Sequence, residues 1–251
     1  MIEDKERRAF LVKLLGIPAT LMVLENEEWL SGKKTNLIFN DDPMGFLEDI
    51  VATRWKTHLM GGPLNAAHGL DRVVKEVVHF ERRVQGKAWH QRALTQLSLI
   101  YQLQGSVAGD MMQYEQAFES YKAAFVVATE LNDVELMAAI RVREGVLFMR
   151  QELPLQAITV LKEGIRLIEG YGYSQLKGNI LTILSEAHAK AQQTQECWRM
   201  IGLAESTLEQ RASRHERSYR TCNISSVLAH KGVDALLLHD FDRALRLIEK
   251  S

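Results

Sequence analysis

Proline is scarce in this chain. It has four in 251 residues, about a third of the usual ~5%. An interior proline costs a helix about 3 kcal/mol, so a chain that almost lacks it is free to build long helices. Cysteine is as sparse. Cys197 and Cys222 are the only two. They exclude a disulfide framework, match no C-x-x-C pattern, and suit a reducing compartment as small buried hydrophobes. There is no run of 18 uncharged apolar residues, which excludes a membrane-spanning helix. Nor is there a charge excess. With 31 Lys and Arg against 32 Asp and Glu, the chain lacks the basic surplus usual in a dedicated nucleic-acid binder.

Familiar chemical motifs are missing too. Ser31-Gly32-Lys33-Lys34-Thr35 has a lysine and a threonine, but Glu27 stands where a phosphate-binding loop needs its first glycine. Lys34 also displaces the hydroxyl that must follow the lysine. The eight histidines form no H-x-x-x-H or H-E-x-x-H pair. His188, expected to face Cys197 across a helix turn, has no third ligand beside it. No G-x-S-x-G element occurs, and no serine or cysteine has an activating signature. Enzymatic activity, a metal and a cofactor are therefore not expected. The hydrophobic content of 46% is enough for one or two packed domains.

Along the chain the apolar pattern is helical. Residues 4–24 read as a helix bent at Gly16-Ile17-Pro18. Its Arg7-Arg8 start resembles a twin-arginine export signal. Lys13 and Pro18 interrupt the apolar run, however, and no small-x-small site precedes Glu25, so an amphipathic helix packing through Phe10, Leu11, Leu14 and Leu15 is expected instead. Asp42-Pro43 is a helix start, with Asp as cap and Pro at the first position. Gly61-Gly62-Pro63 ends that helix and opens the next. Val73, Val74, Val77 and Val78 are β-branched, but the charges around them recur with helical period, so a helix is expected there as well.

From about residue 89 the chain repeats. Ala117, Ala157 and Cys197 are 40 residues apart (157 − 117 and 197 − 157), as are Gly105, Gly145 and Ser185. A fourth copy, with Gly232 and Ala244, follows after 47 residues (244 − 197). A period in this range means stacked supersecondary units. Each copy reads as a first helix (92–108, 134–150, 175–191) and a second (114–130, 154–169, 195–210), with small residues where the two axes approach. Tyr101, Tyr121, Phe125, Phe148, Leu161 and Ile201 fill the surrounding space.

Tyr101, Gly105, Ala117, Tyr121 and Ala124 resemble the tetratricopeptide (TPR) motif. Later copies depart from it at Gly164, Ser185 and Cys197, lack the motif's closing proline, and exceed its usual period of 34. The resemblance implies an all-α fold, a right-handed superhelix of antiparallel helix pairs. An irregular helical cap is expected over 1–90 and TPR-like repeats over 91–251 (about 98–131, 138–171, 178–211 and 225–251). The run Glu6-Arg7-Arg8-Ala9-Phe10-Leu11 to Pro18 also resembles a junction in bacterial helix-turn-helix regulators, where a DNA-binding domain precedes a TPR region. The end at Ser251, inside a second helix, suggests a piece of a longer chain.

That resemblance implies a cytoplasmic regulatory module that binds a peptide or protein in its concave groove. It would contact nucleic acid only through a missing N-terminal domain, and would not contact membranes. The alternative is a passive scaffold or a homodimerisation module. By helical phase, the groove candidates are Gln102, Ser106, Arg150, Asn179, Thr182, Glu186 and Lys190. Asn and Gln amides suit a peptide backbone, because they both donate and accept. Arg211, Arg214, Arg217 and Arg220 recur every third residue and form a slanted basic stripe before the fourth copy. The stripe suits phosphate or an acidic partner. The plainer expectation is a solvated long helix partly neutralised by Glu205, Glu209 and Glu216.

Overall fold

The computed structural model describes residues 43–83, 86–209 and 222–248. The helix expected over 4–24 and the stripe Arg211, Arg214, Arg217 and Arg220 lie outside them. Ten α-helices make up the described residues: α1 (Pro43–Ala67), α2 (Leu70–Glu81), α3 (Lys87–Asp110), α4 (Tyr114–Glu130), α5 (Val134–Arg150), α6 (Pro154–Leu167), α7 (Ser174–Lys190), α8 (Thr194–Glu209), α9 (Ile224–Leu237) and α10 (Phe241–Ile248). No strand occurs among them, and neighbouring helices pack in pairs. Two compact units divide between Leu131 and Asn132, so the first repeat groups with the helices before it.

Local chemistry sets the helix limits. Pro43 opens α1, and Gly62 interrupts it with a non-helical backbone (φ 79°, ψ 174°) just before Pro63. Asp133 caps α5 by accepting from the Leu136 N–H at 3.0 Å, and Asn223 caps α9 by accepting from the Ser226 N–H at 2.8 Å. Such caps contribute about 1 kcal/mol each. Pro154 occupies the start of α6, where its missing N–H costs nothing.

Each repeat turns by the same device. Met112, Glu152, Gln192 and His239 adopt left-handed φ values of 61°, 55°, 57° and 61°. The residue after each returns its N–H to the first helix: Gln113 to Ala108 O, Leu153 to Phe148 O, Gln193 to His188 O and Asp240 to Ala235 O, all at 2.8–2.9 Å. This is the Schellman closure of a helix C-terminus, built here without the glycine that usually relieves the backbone.

In the first unit, α1, α2 and α3 enclose Met44, Leu47, Ile50, Val73, Val77, Leu97 and Ile100. Polar ties fix their register. Arg92 donates twice to Glu48 at 3.0 Å, the Trp55 indole donates to Leu99 O at 3.2 Å, and His58 Nε2 meets Asp110 Oδ2 at 2.7 Å. Where α3 meets α4, a methyl group on Gly105 would lie 2.5 Å from the Tyr121 ring. The expected close approach of the two axes is thus present.

The second unit stacks by a simple rule. Both helices of one pair pack on the first helix of the next: α5 and α6 on α7, then α7 and α8 on α9. Ala157, Leu161, Ile180, Leu184, Ile201 and Ala204 form its core. Gly145 sits against Leu161, where an added Cβ would stand 2.7 Å from the side chain.

Candidate functional site

The third repeat departs from the small-residue pattern, and its chemistry follows from that departure. Where the second repeat has Gly145 and Ala157, the third has Ser185 and Cys197. All four positions are buried. The fourth repeat sends Asp234, 0% exposed, into the same joint. Ser185 Oγ lies 2.7 Å from both Asp234 Oδ2 and Thr182 O. A hydroxyl has one proton and a carbonyl has none. The Ser185 hydroxyl is the donor to both and shares its single proton between them. Burial pushes the Asp234 carboxyl up to about 6, with the Glu186 charge adding to the effect and the Ser185 bond and His230 opposing it. Burial, with the Asp234 charge and bond behind it, pushes the Cys197 thiol up to about 12. That holds Cys197 as an inert thiol rather than a nucleophile.

His188, expected opposite Cys197, pairs with Gln193 instead, its Nδ1 2.6 Å from Oε1. Burial lowers its pKa, so it stays neutral. Among the described residues no three His, Cys, Asp or Glu side chains gather to hold a metal ion, and no helix is long and apolar enough to cross a membrane.

The seven groove candidates differ in burial. Gln102 and Thr182 are 0% and 2% exposed, which corrects the expectation that they face a groove. The reason is local. Gln102 donates one turn back to Ser98 Oγ at 3.4 Å, and Thr182 donates one turn back to Gly178 O at 2.8 Å. Both polar ends fold onto their own helices while their stems enter the packing. Ser106, in the first unit, is half-buried and pairs with the Tyr121 hydroxyl at 3.2 Å.

The other four lie in the second unit. Arg150 is exposed at the end of α5, and Asn179, Glu186 and Lys190 are half-buried on α7. Lys190 donates to Met149 O at 3.2 Å and to Glu152 at 2.8 Å. Glu186 Oε2 lies 3.4 Å from His230 Nδ1 on α9. Lys190 and Glu186 thus tie α7 to α5 and α9, and all four residues keep accessible surface. Sequence reasoning missed His230 and Asp234. The one available signal was the polar pair Ser185 and Cys197 in positions that are otherwise glycine and alanine.

No family model, curated protein or solved structure matches the chain. The TPR resemblance therefore stands on the repeat residues themselves.

Proposed function

We propose that this chain is a non-enzymatic interaction module. It binds a peptide or protein segment along the first helices of its repeats, and serves as the regulatory part of a bacterial transcriptional regulator in the cytoplasm. Its repeats wind in the right-handed sense expected of TPR-like stacks. One observation carries the proposal: on α7, Glu186 and Lys190 keep accessible surface while tied to α9 and to the end of α5, beside the accessible Arg150 and Asn179. Side chains held from behind lose less entropy when a ligand arrives. A ligand that prefers one relative setting of those helices would shift its population, by no more than its differential affinity.

The test is selection of random 12-residue displayed peptides on the full chain, followed by calorimetric titration. Enriched peptides should bind, and Arg150→Ala, Asn179→Ala and Lys190→Ala should each weaken them about tenfold, or 1.4 kcal/mol. No enrichment, or binding indifferent to all three substitutions, would refute the module. The regulator part is tested separately, by whether a helix-turn-helix is encoded directly upstream of Met1. A second reading, a dimerisation module, is favoured by the exposed apolar residues Val233, Leu236, Phe241 and Leu245 on α9 and α10.

A further inference from the structure

In the second unit, each pair packs on the first helix of the next. For the step from the third repeat to the fourth, Glu186 pairs with His230, Ala189 is 0% exposed, and the Trp198 ring carries the Arg243 guanidinium 3.7 Å from its centroid. Moving 47 residues along, the same positions in the fourth repeat are Val233, Leu236 and Leu245. They are large and apolar, yet 43%, 45% and 60% exposed, and Phe241 beside them is 64% exposed. These positions match a receiving face of the helix stack, with Val233 and Leu236 where the internal face has Glu186 and Ala189. Scattered surface leucines need no explanation, but four on one such face do.

We infer that a second copy of this chain docks there, α9 and α10 of one copy against α9 and α10 of the other across a two-fold axis. The charges favour this occupant. Asp242 and Arg246 are both exposed, one turn apart on α10. When two α10 helices meet antiparallel, Leu245 of each copy faces Phe241 of the other, and Asp242 faces Arg246. The arrangement is self-complementary, as a two-fold contact requires. It also sets each helix's carboxylate-bearing first turn beside the other's cationic last turn, in keeping with the helix dipoles. α9, with 14 residues, is about 21 Å long. Two such short helices per copy give an interface near the small end of the stable range, so micromolar dissociation is expected.

Sedimentation velocity on the full chain from about 1 to 200 µM tests this. The unsubstituted chain should pass from monomer to dimer across the range. Leu245→Glu should raise the dissociation constant at least tenfold with an unchanged circular dichroism melt. Asp242→Arg should also weaken the dimer, and adding Arg246→Asp should restore it, which a misfolded variant could not do. A monomer throughout, including one that assembles only with another protein, would overturn the inference. So would a dimer indifferent to Leu245→Glu, or a double exchange that fails to restore association. Peptide titration of Leu245→Glu is a separate readout. The four peptide-contact candidates lie on α5 and α7, so loss of the dimer leaves that result unaffected.

Discussion

The α5–α6 and α7–α8 pairs are 40 residues apart in sequence and share one backbone plan, down to the left-handed residue in each turn, yet they close by different chemistry. The α5–α6 joint is sealed by absence: Gly145 has no side chain, and Leu161 occupies the space at 0% exposure. The α7–α8 joint is sealed by presence, with the Ser185 hydroxyl and Cys197 thiol meeting a buried carboxyl from the next pair. An apolar joint is indifferent to pH. A joint built on a buried carboxyl is not. The same helical frame can thus carry a passive contact and a titratable one, and the choice rests on two small residues.

The largest expected difference between the joints is in their response to pH. The folded Asp234 value of about 6 lies above the ordinary 3.8. Its stabilising contribution is therefore complete below about pH 4 and is lost as pH rises through 6, on the order of 3 kcal/mol in total. Hydrogen exchange of the α9 amides between pH 4 and 7, corrected for intrinsic rates, should show falling protection. Asp234→Asn, which stays neutral, should flatten that profile. Protection in α5 and α6 should follow the same pH course in both proteins.

Next in size is the exchange of the two small residues. Gly145→Ser would force a Cβ to 2.7 Å from Leu161, an overpacking cost of about 1–3 kcal/mol. Ser185→Gly would strip the buried Asp234 of its hydroxyl partner, at about 1–3 kcal/mol. Urea denaturation should show both variants destabilised. If either residue were interchangeable with the other, the contrast between the joints would collapse.

The smallest effect separates the turns. Glu152→Gly relieves a left-handed backbone at the cost of an exposed ion pair with Lys190. Because such pairs contribute little, the variant should gain about 0.5–1 kcal/mol. Gln192 has the same backbone, but its amide donates to Ala189 O and Leu237 O. Gln192→Gly should therefore gain nothing, and thermal melts of the two variants would show the difference.

Much of this was legible in advance. The 40-residue spacing places α4 and α5 where the structure has them, because helix limits depend on neighbours within a turn or two. The close approaches at Gly105 and Gly145 were legible for the same reason, since only the smallest residue fits where two axes nearly touch. Of the groove candidates, Asn179, Glu186 and Lys190 keep accessible surface, whereas Gln102 and Thr182 are buried. Phase gives the direction of a side chain and not what stands in front of it.

The sequence by itself determined the helical character of the described residues, their repeat register and the limits of α4 and α5, since these are written in local periodicity. Only the tertiary structure decided the partner of Ser185, which lies 49 residues away, across a connection longer than the others. It also decided which apolar faces are covered and which are exposed. Burial is set by whatever packs against a residue, and in a stack that is always the next unit of chain.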